Sequence, residues 1–197
     1  MGAILQSLGR TVIAGIVVLI VIVILAGVGT GRMVVPDMAW STFAMRWLHV
    51  LSGVMWIGLL WYFNFVQMPS MPKIPDEQKP AVSKVIAPEA LFWFRWAALS
   101  TVVTGLLLAA MNGYIVAALT LTRPFHPIGI GMWLALIMAY NVWFIIWPNQ
   151  KKVLGIVTVE PAEKTKAARI AGLASRFNTM ASIPMLYCMA AQSHGGF

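Results

Sequence analysis

From Val12 to Val28 no side chain carries a charge, a hydroxyl or an amide. A run of that length and composition, preceded by Arg10, is a membrane-crossing helix by the ~20-residue requirement of a ~30 Å hydrocarbon core. A secretory signal has a similar layout, but its apolar stretch is roughly 7–15 residues and a small-residue cleavage site follows it. Neither holds here, so the run reads as a retained anchor. Four further apolar stretches follow, at about 40–67, 89–111, 128–147 and 167–192. Charged residues make up 10% of the chain against roughly 25% in soluble domains. The expectation is an all-α, polytopic membrane bundle of five spans. Residues 1–39 form the anchor and a loop, and residues 40–197 a four-helix membrane domain.

The formal charge of +8 does not point to nucleic acid, because the basic residues lie between apolar runs rather than on a soluble surface. Their distribution instead sets orientation. With five spans, one side collects Arg10, Lys73, Lys79, Lys84, Arg95, Lys151, Lys152, Lys164, Lys166, Arg169 and Arg176; the other collects Arg32, Arg46 and Arg123. By the positive-inside rule the N-terminus faces the cytoplasm and the C-terminus lies outside, in a bacterial inner membrane. Membrane lipids are the first partner this implies.

The connections are read from their breakers. Met68 to Pro88 holds Pro69, Pro72, Pro75, Pro80 and Pro88 among charged residues and reads as a solvated connection with at most a short helix. Pro88 and Glu89 suit the first turn of the next span. Tyr114 to Thr122 either extends that span or lies along the interface. Lys151 to Lys166 reads as polar, with Glu160 and Lys164 paired on a surface helix. The last span carries Arg169, Arg176, Asn178, Ser182 and Pro184. These would be costly against lipid, so it belongs inside the bundle, with a kink at Pro184 unless a neighbour compensates.

Chemistry concentrates in Arg46-Trp47-Leu48-His49. Two ionisable residues three apart share one helical face, and an ionisable group inside a span marks a candidate functional site. His49, His126 and His194 all fall on the outer side. Two histidines on different helices can ligate haem b, with arginines on its propionates. The candidate set is His49 and His194 as iron ligands and Arg46 and Arg123 as propionate partners. Met185 and Met189 are possible sulfur ligands, and His126, between two prolines, reads as a loop residue. The alternative for His49 is an interhelical hydrogen bond to a Ser, Thr or backbone carbonyl. Asn64, Gln67, Arg95, Arg176 and Asn178 form a second polar set in the cytoplasmic half, for helix pairing and anchoring or for an anion or quinone headgroup. No catalytic residue is assigned. The lone Cys188 excludes a disulfide framework and a Cys-based zinc site, and no Cys-x-x-Cys-His for covalent haem occurs.

Arg46-Trp47-Leu48-His49-Val50 through Trp56-Ile57-Gly58, with Tyr62-Phe63 and Gln67, resembles the opening signature of the membrane domain of bacterial membrane-bound urate hydroxylases, the urate oxidase N-terminal domain family. Asn141-Val142-Trp143-Phe144-Ile145-Ile146-Trp147-Pro148-Asn149-Gln150 resembles that domain's later span, and Ala174-Ser175-Arg176-Phe177-Asn178-Thr179 through Pro184 its final one. The resemblance implies urate oxidation feeding electrons to a respiratory chain, with a C-terminal cytochrome c domain outside the membrane. Phe177 stands where the family pattern has a histidine, and the cytochrome motif is missing. Two readings follow. One is a redox or electron-transfer subunit, haem b-associated, working with a separate cytochrome or membrane carrier. The other is a non-catalytic accessory subunit of a larger respiratory or photosynthetic complex.

Overall fold

A computed structural model describes residues 2–31 and 33–196. Arg32, one of the three basic residues on the charge-poor side, lies outside the described residues. The described chain is helical, in two compact units, Met1–Ala44 and Met45–Phe197. In the first, a single turn at Gly2–Leu5 precedes α1, Leu8–Thr30. Apolar side chains are exposed along nearly all of α1, as suits a helix whose solvent is lipid.

Three long helices and a short one follow: α2 (Met38–Lys73), α3 (Lys79–Met111), α4 (Ile115–Leu119) and α5 (His126–Val153). The final helix, α6, runs Pro161–His194. Helices α1, α2, α3 and α5 are long and apolar enough to cross a membrane. The more polar α6 packs along α5. It turns Ala167, Ala171, Ser175, Asn178, Ala181, Ser182, Met185 and Cys188 inward, a helical stripe of mostly small residues that permits close approach.

The Met68–Pro88 connection is shorter than the sequence suggested. Only residues 74–78 lie outside helix, with the hydrogen bond from Lys79, and then its charge, holding the Asp76 carboxyl below its ordinary range there. The reason lies in two wide, π-type turns, at Tyr62–Gln67 and Val82–Ile86, and a third of the same kind occurs in α5 at Asn141–Ile146. In each, the residue just before a proline donates its N–H five residues back: Met68 to Phe63, Ala87 to Val82, Trp147 to Val142. Proline lacks a donor, and its ring crowds the carbonyl four residues earlier. One extra residue in the preceding turn moves that carbonyl aside, so the helix carries Pro69, Pro88 and Pro148 without ending. Pro88 therefore sits within α3, which starts at Lys79, rather than opening it. Likewise the polar stretch before the last span is not a separate surface helix. Its end is the first turns of α6, with Glu163 paired to Lys152 at 2.6 Å.

The core of the second unit joins Trp56, Leu60 and Phe63 of α2 to Leu91, Phe94 and Ala98 of α3. Met138, Val142 and Ile146 of α5, with Ala181 and Met185 of α6, complete it. Polar side chains tie the helices: Trp61 Nε1 donates to Ser182 Oγ at 3.0 Å and Asn64 Nδ2 to Ser175 Oγ at 2.8 Å. Asn141 Nδ2 donates to Asn178 Oδ1 (2.9 Å), and Asn178 Nδ2 to the Met138 carbonyl (2.9 Å). Such bonds average about 0.6 kcal/mol within bilayers. α4 folds back against α5, where a Cβ on Gly129 would collide with the Ala118 carbonyl oxygen. Trp133 Nε1 then reaches the Leu119 carbonyl at 3.0 Å.

Candidate functional site: the His49 cavity

His49 lies on α2, half-buried, facing α3. Its Nδ1 is 2.9 Å from the Thr101 carbonyl oxygen and 3.3 Å from Thr104 Oγ1. A carbonyl only accepts, so Nδ1 carries the hydrogen, and in the neutral form of the ring the lone pair is at Nε2. The interhelical bond expected as the alternative to ligation is therefore present, and it is also the arrangement that orients a ligating histidine. Gly105, one turn beyond Thr101, lets the ring lie against the α3 backbone. A Cβ there would be 2.8 Å from His49 Cε1.

Two cavities adjoin this ring. A small one, about 50 Å³, is bounded by His49, Trp56, Gly105, Met132, Met185 and Met189. A larger one, about 370 Å³, is lined by His49, Gly53, Trp56, Gly58, Trp61 and Met185. The larger falls within the roughly 300–1,000 Å³ of small-molecule sites. Trp56 borders both, is fully buried, and its indole N–H has no partner. An acceptor on a bound group would satisfy that donor, whose isolation otherwise costs about 1–3 kcal/mol.

Of the candidate residues, the structure brings His49, Met185 and Met189 to one cavity. His194 lies exposed at the end of α6, with Nδ1 2.9 Å from the Ala190 carbonyl, outside that set. Arg46 is exposed one turn from His49 and acts on Tyr114, whose phenol burial pushes above its ordinary pKa against the pull of the arginine's charge. Tyr114 stacks on Phe125 at 5.1 Å, so Arg46 and Arg123 belong to the same end of the bundle. Arg123, exposed, borders a surface recess with His126 and Gln192. His126 is not a loop residue: it opens α5, because Pro127 needs no N–H partner in a first turn. No group of three His, Cys, Asp or Glu suited to a metal ion occurs among the described residues.

Sequence reasoning missed Trp56, Thr101 and Gly105. The available signal was the Thr101, Thr104, Gly105 spacing, two hydroxyls and a gap on one face of α3.

The second polar set does not form one cluster. Asn64 and Asn178 pair helices, and Arg176 is exposed. Gln67 lines a separate cavity of about 290 Å³ with Phe63, Ser83, Phe94, Gln150 and Ser175, and its Oε1 has no partner.

The fold and this intramembrane cavity define a helical multi-pass membrane protein. Residues 125–196, α5 and α6 with the turn before them, match the family model described as urate oxidase N-terminal. The match covers little more than a third of the chain and contains two of the three stretches that carried the resemblance. No curated protein and no solved structure matches the chain.

Proposed function

We propose that the protein is a membrane-embedded redox or electron-transfer subunit that holds haem b through His49. The observation that carries this reading is the His49 Nδ1 hydrogen bond to the Thr101 carbonyl, which leaves Nε2 free beside a cavity bounded by Met185 and Met189. The donor set suits haem iron: a tautomer-fixed imidazole and thioether sulfurs on a second helix. Haem, when bound, supplies reversible one-electron transfer. Met185 or Met189 would give the second ligand, with His194 the other candidate, and Arg46 and Arg123 would serve the propionates. The walls around His49 are mostly apolar side chains. In this reading the chain crosses a bacterial inner membrane five times, with the N-terminus inside, and passes electrons to a separate cytochrome or membrane carrier.

A reduced-minus-oxidised visible spectrum of the protein purified in mild detergent tests it. A b-type α-band that disappears in His49→Ala supports the assignment. Met185→Leu and Met189→Leu then identify the second ligand by the change to a high-spin spectrum. Absence of the band from protein expressed with haem precursor overturns it. The accessory-subunit reading is favoured by Phe177, an apolar, 43% exposed side chain where the family resemblance implies a histidine. It requires co-migration with partner subunits and no haem.

A further inference from the structure

Arg95 lies within α3, in a membrane-crossing helix, and is 9% exposed. Its guanidinium carbon stands 3.3 Å from the Trp147 ring centroid, and its Nη1 is sealed with no hydrogen-bond partner. Lys151, one turn beyond Trp147 on α5, brings its Nζ to 5.9 Å from the same ring. Among the described residues the ion pairs are Lys79–Asp76 and Lys152–Glu163. Neither reaches Arg95 or Lys151.

Two cations held against one indole repel each other, and the ring's quadrupole replaces only part of a guanidinium's hydration. Trp143, whose indole N–H is also sealed without a partner, packs edge-on at 5.5 Å against Trp96, the neighbour of Arg95. The place thus combines two positive charges with no ion-pair partner among the described residues. We propose that Arg95 and Lys151, against Trp147, bind a phosphate group carried by an anionic phospholipid. A phosphate at the edge of the guanidinium away from the sealed Nη1 accepts its charged hydrogen bonds and takes Lys151 as a point charge. The lipid is the source favoured by position. Trp93, Trp96, Trp143 and Trp147 cluster here as aromatics do at headgroup level. The lysines 151 and 152 follow at the end of α5, and juxtamembrane basic residues attract anionic headgroups.

Native mass spectrometry of the detergent-purified chain, titrated separately with phosphatidylglycerol, phosphatidylcholine and inorganic phosphate, tests the proposal. Phosphatidylglycerol adducts should exceed phosphatidylcholine adducts by about tenfold and fall by about tenfold in Arg95→Gln, the loss of one charged hydrogen bond. Arg95→Lys should retain part of the preference. Lys151→Gln, at a partly exposed position, carries the same test should Arg95→Gln fail to fold by circular dichroism. Equal retention of the two lipids, or an undiminished phosphatidylglycerol preference in the folded variants, overturns the site. Binding of inorganic phosphate that phosphatidylglycerol does not displace overturns the lipid as its source.

Discussion

The imidazole of His49 occupies the space that a side chain at residue 105 would take, 2.8 Å from where a Cβ on Gly105 would stand. Gly105→Ala should therefore push the ring off the Thr101 carbonyl. An overpacked contact of this kind costs about 1–3 kcal/mol. The expected result is a lower melting temperature in detergent and, in haem-loaded protein, an altered α-band. Unchanged values for both would mean that the ring moves freely and is not positioned by α3.

Asn178 bonds both Asn141 and the Met138 carbonyl from a fully buried position. Asn178→Ala leaves the Asn141 side-chain amide without its acceptor, which should cost about 1–3 kcal/mol. Asn178→Ala/Asn141→Leu should recover part of this, since removing both partners costs less than orphaning one. Unfolding in mixed micelles measures both variants, and an equal loss in the two would assign the cost to packing alone.

The wide turn before Pro148 holds one residue more than an α-helical turn needs. Deleting Phe144, which is 66% exposed, should be tolerated only when Pro148 is replaced by Ala. With the proline kept, the ring meets the carbonyl four residues back, at about 3 kcal/mol. Thermal unfolding of the single deletion against the double variant reads this directly. Equal stability would show that the turn does not exist to seat the proline.

Orientation is open to reporter fusions. With five spans and a basic cytoplasmic side, a fusion in the turn near Gly155 reports as cytoplasmic and one after Gly196 as external. The reverse pattern would overturn the orientation, and the same side for both would remove α6 from the list of spans.

The apolar runs of α1, α3 and α5 were legible because length and hydropathy alone define them. Ser175, Asn178 and Ser182 of α6 do face inward, but Arg169 and Arg176 on the same helix are exposed, so its polarity did not place the whole helix inside the bundle. The continuation of α2 and α3 through Met68–Pro88 was not legible. Proline reads as a breaker, and nothing local announces a widened turn that absorbs it. His49 stood out through its own chemistry. Its partners did not: Thr101 accepts through a backbone carbonyl, which no side-chain pattern reveals, and Gly105 contributes by an absence of atoms. Met185 and Met189 were visible as sulfur donors, but only packing sets them beside His49 in preference to His194.

Each widened turn before Pro69, Pro88 and Pro148 also shifts the phase of everything beyond it. A 3.6-residue template laid across the whole of α2, α3 or α5 assigns correct faces on one side of the turn and faces about 100° off on the other. Relatives that lack one of these prolines should show a one-residue deletion in the turn before it. An alignment that forbids gaps inside membrane spans would then misplace the interior residues of half a helix.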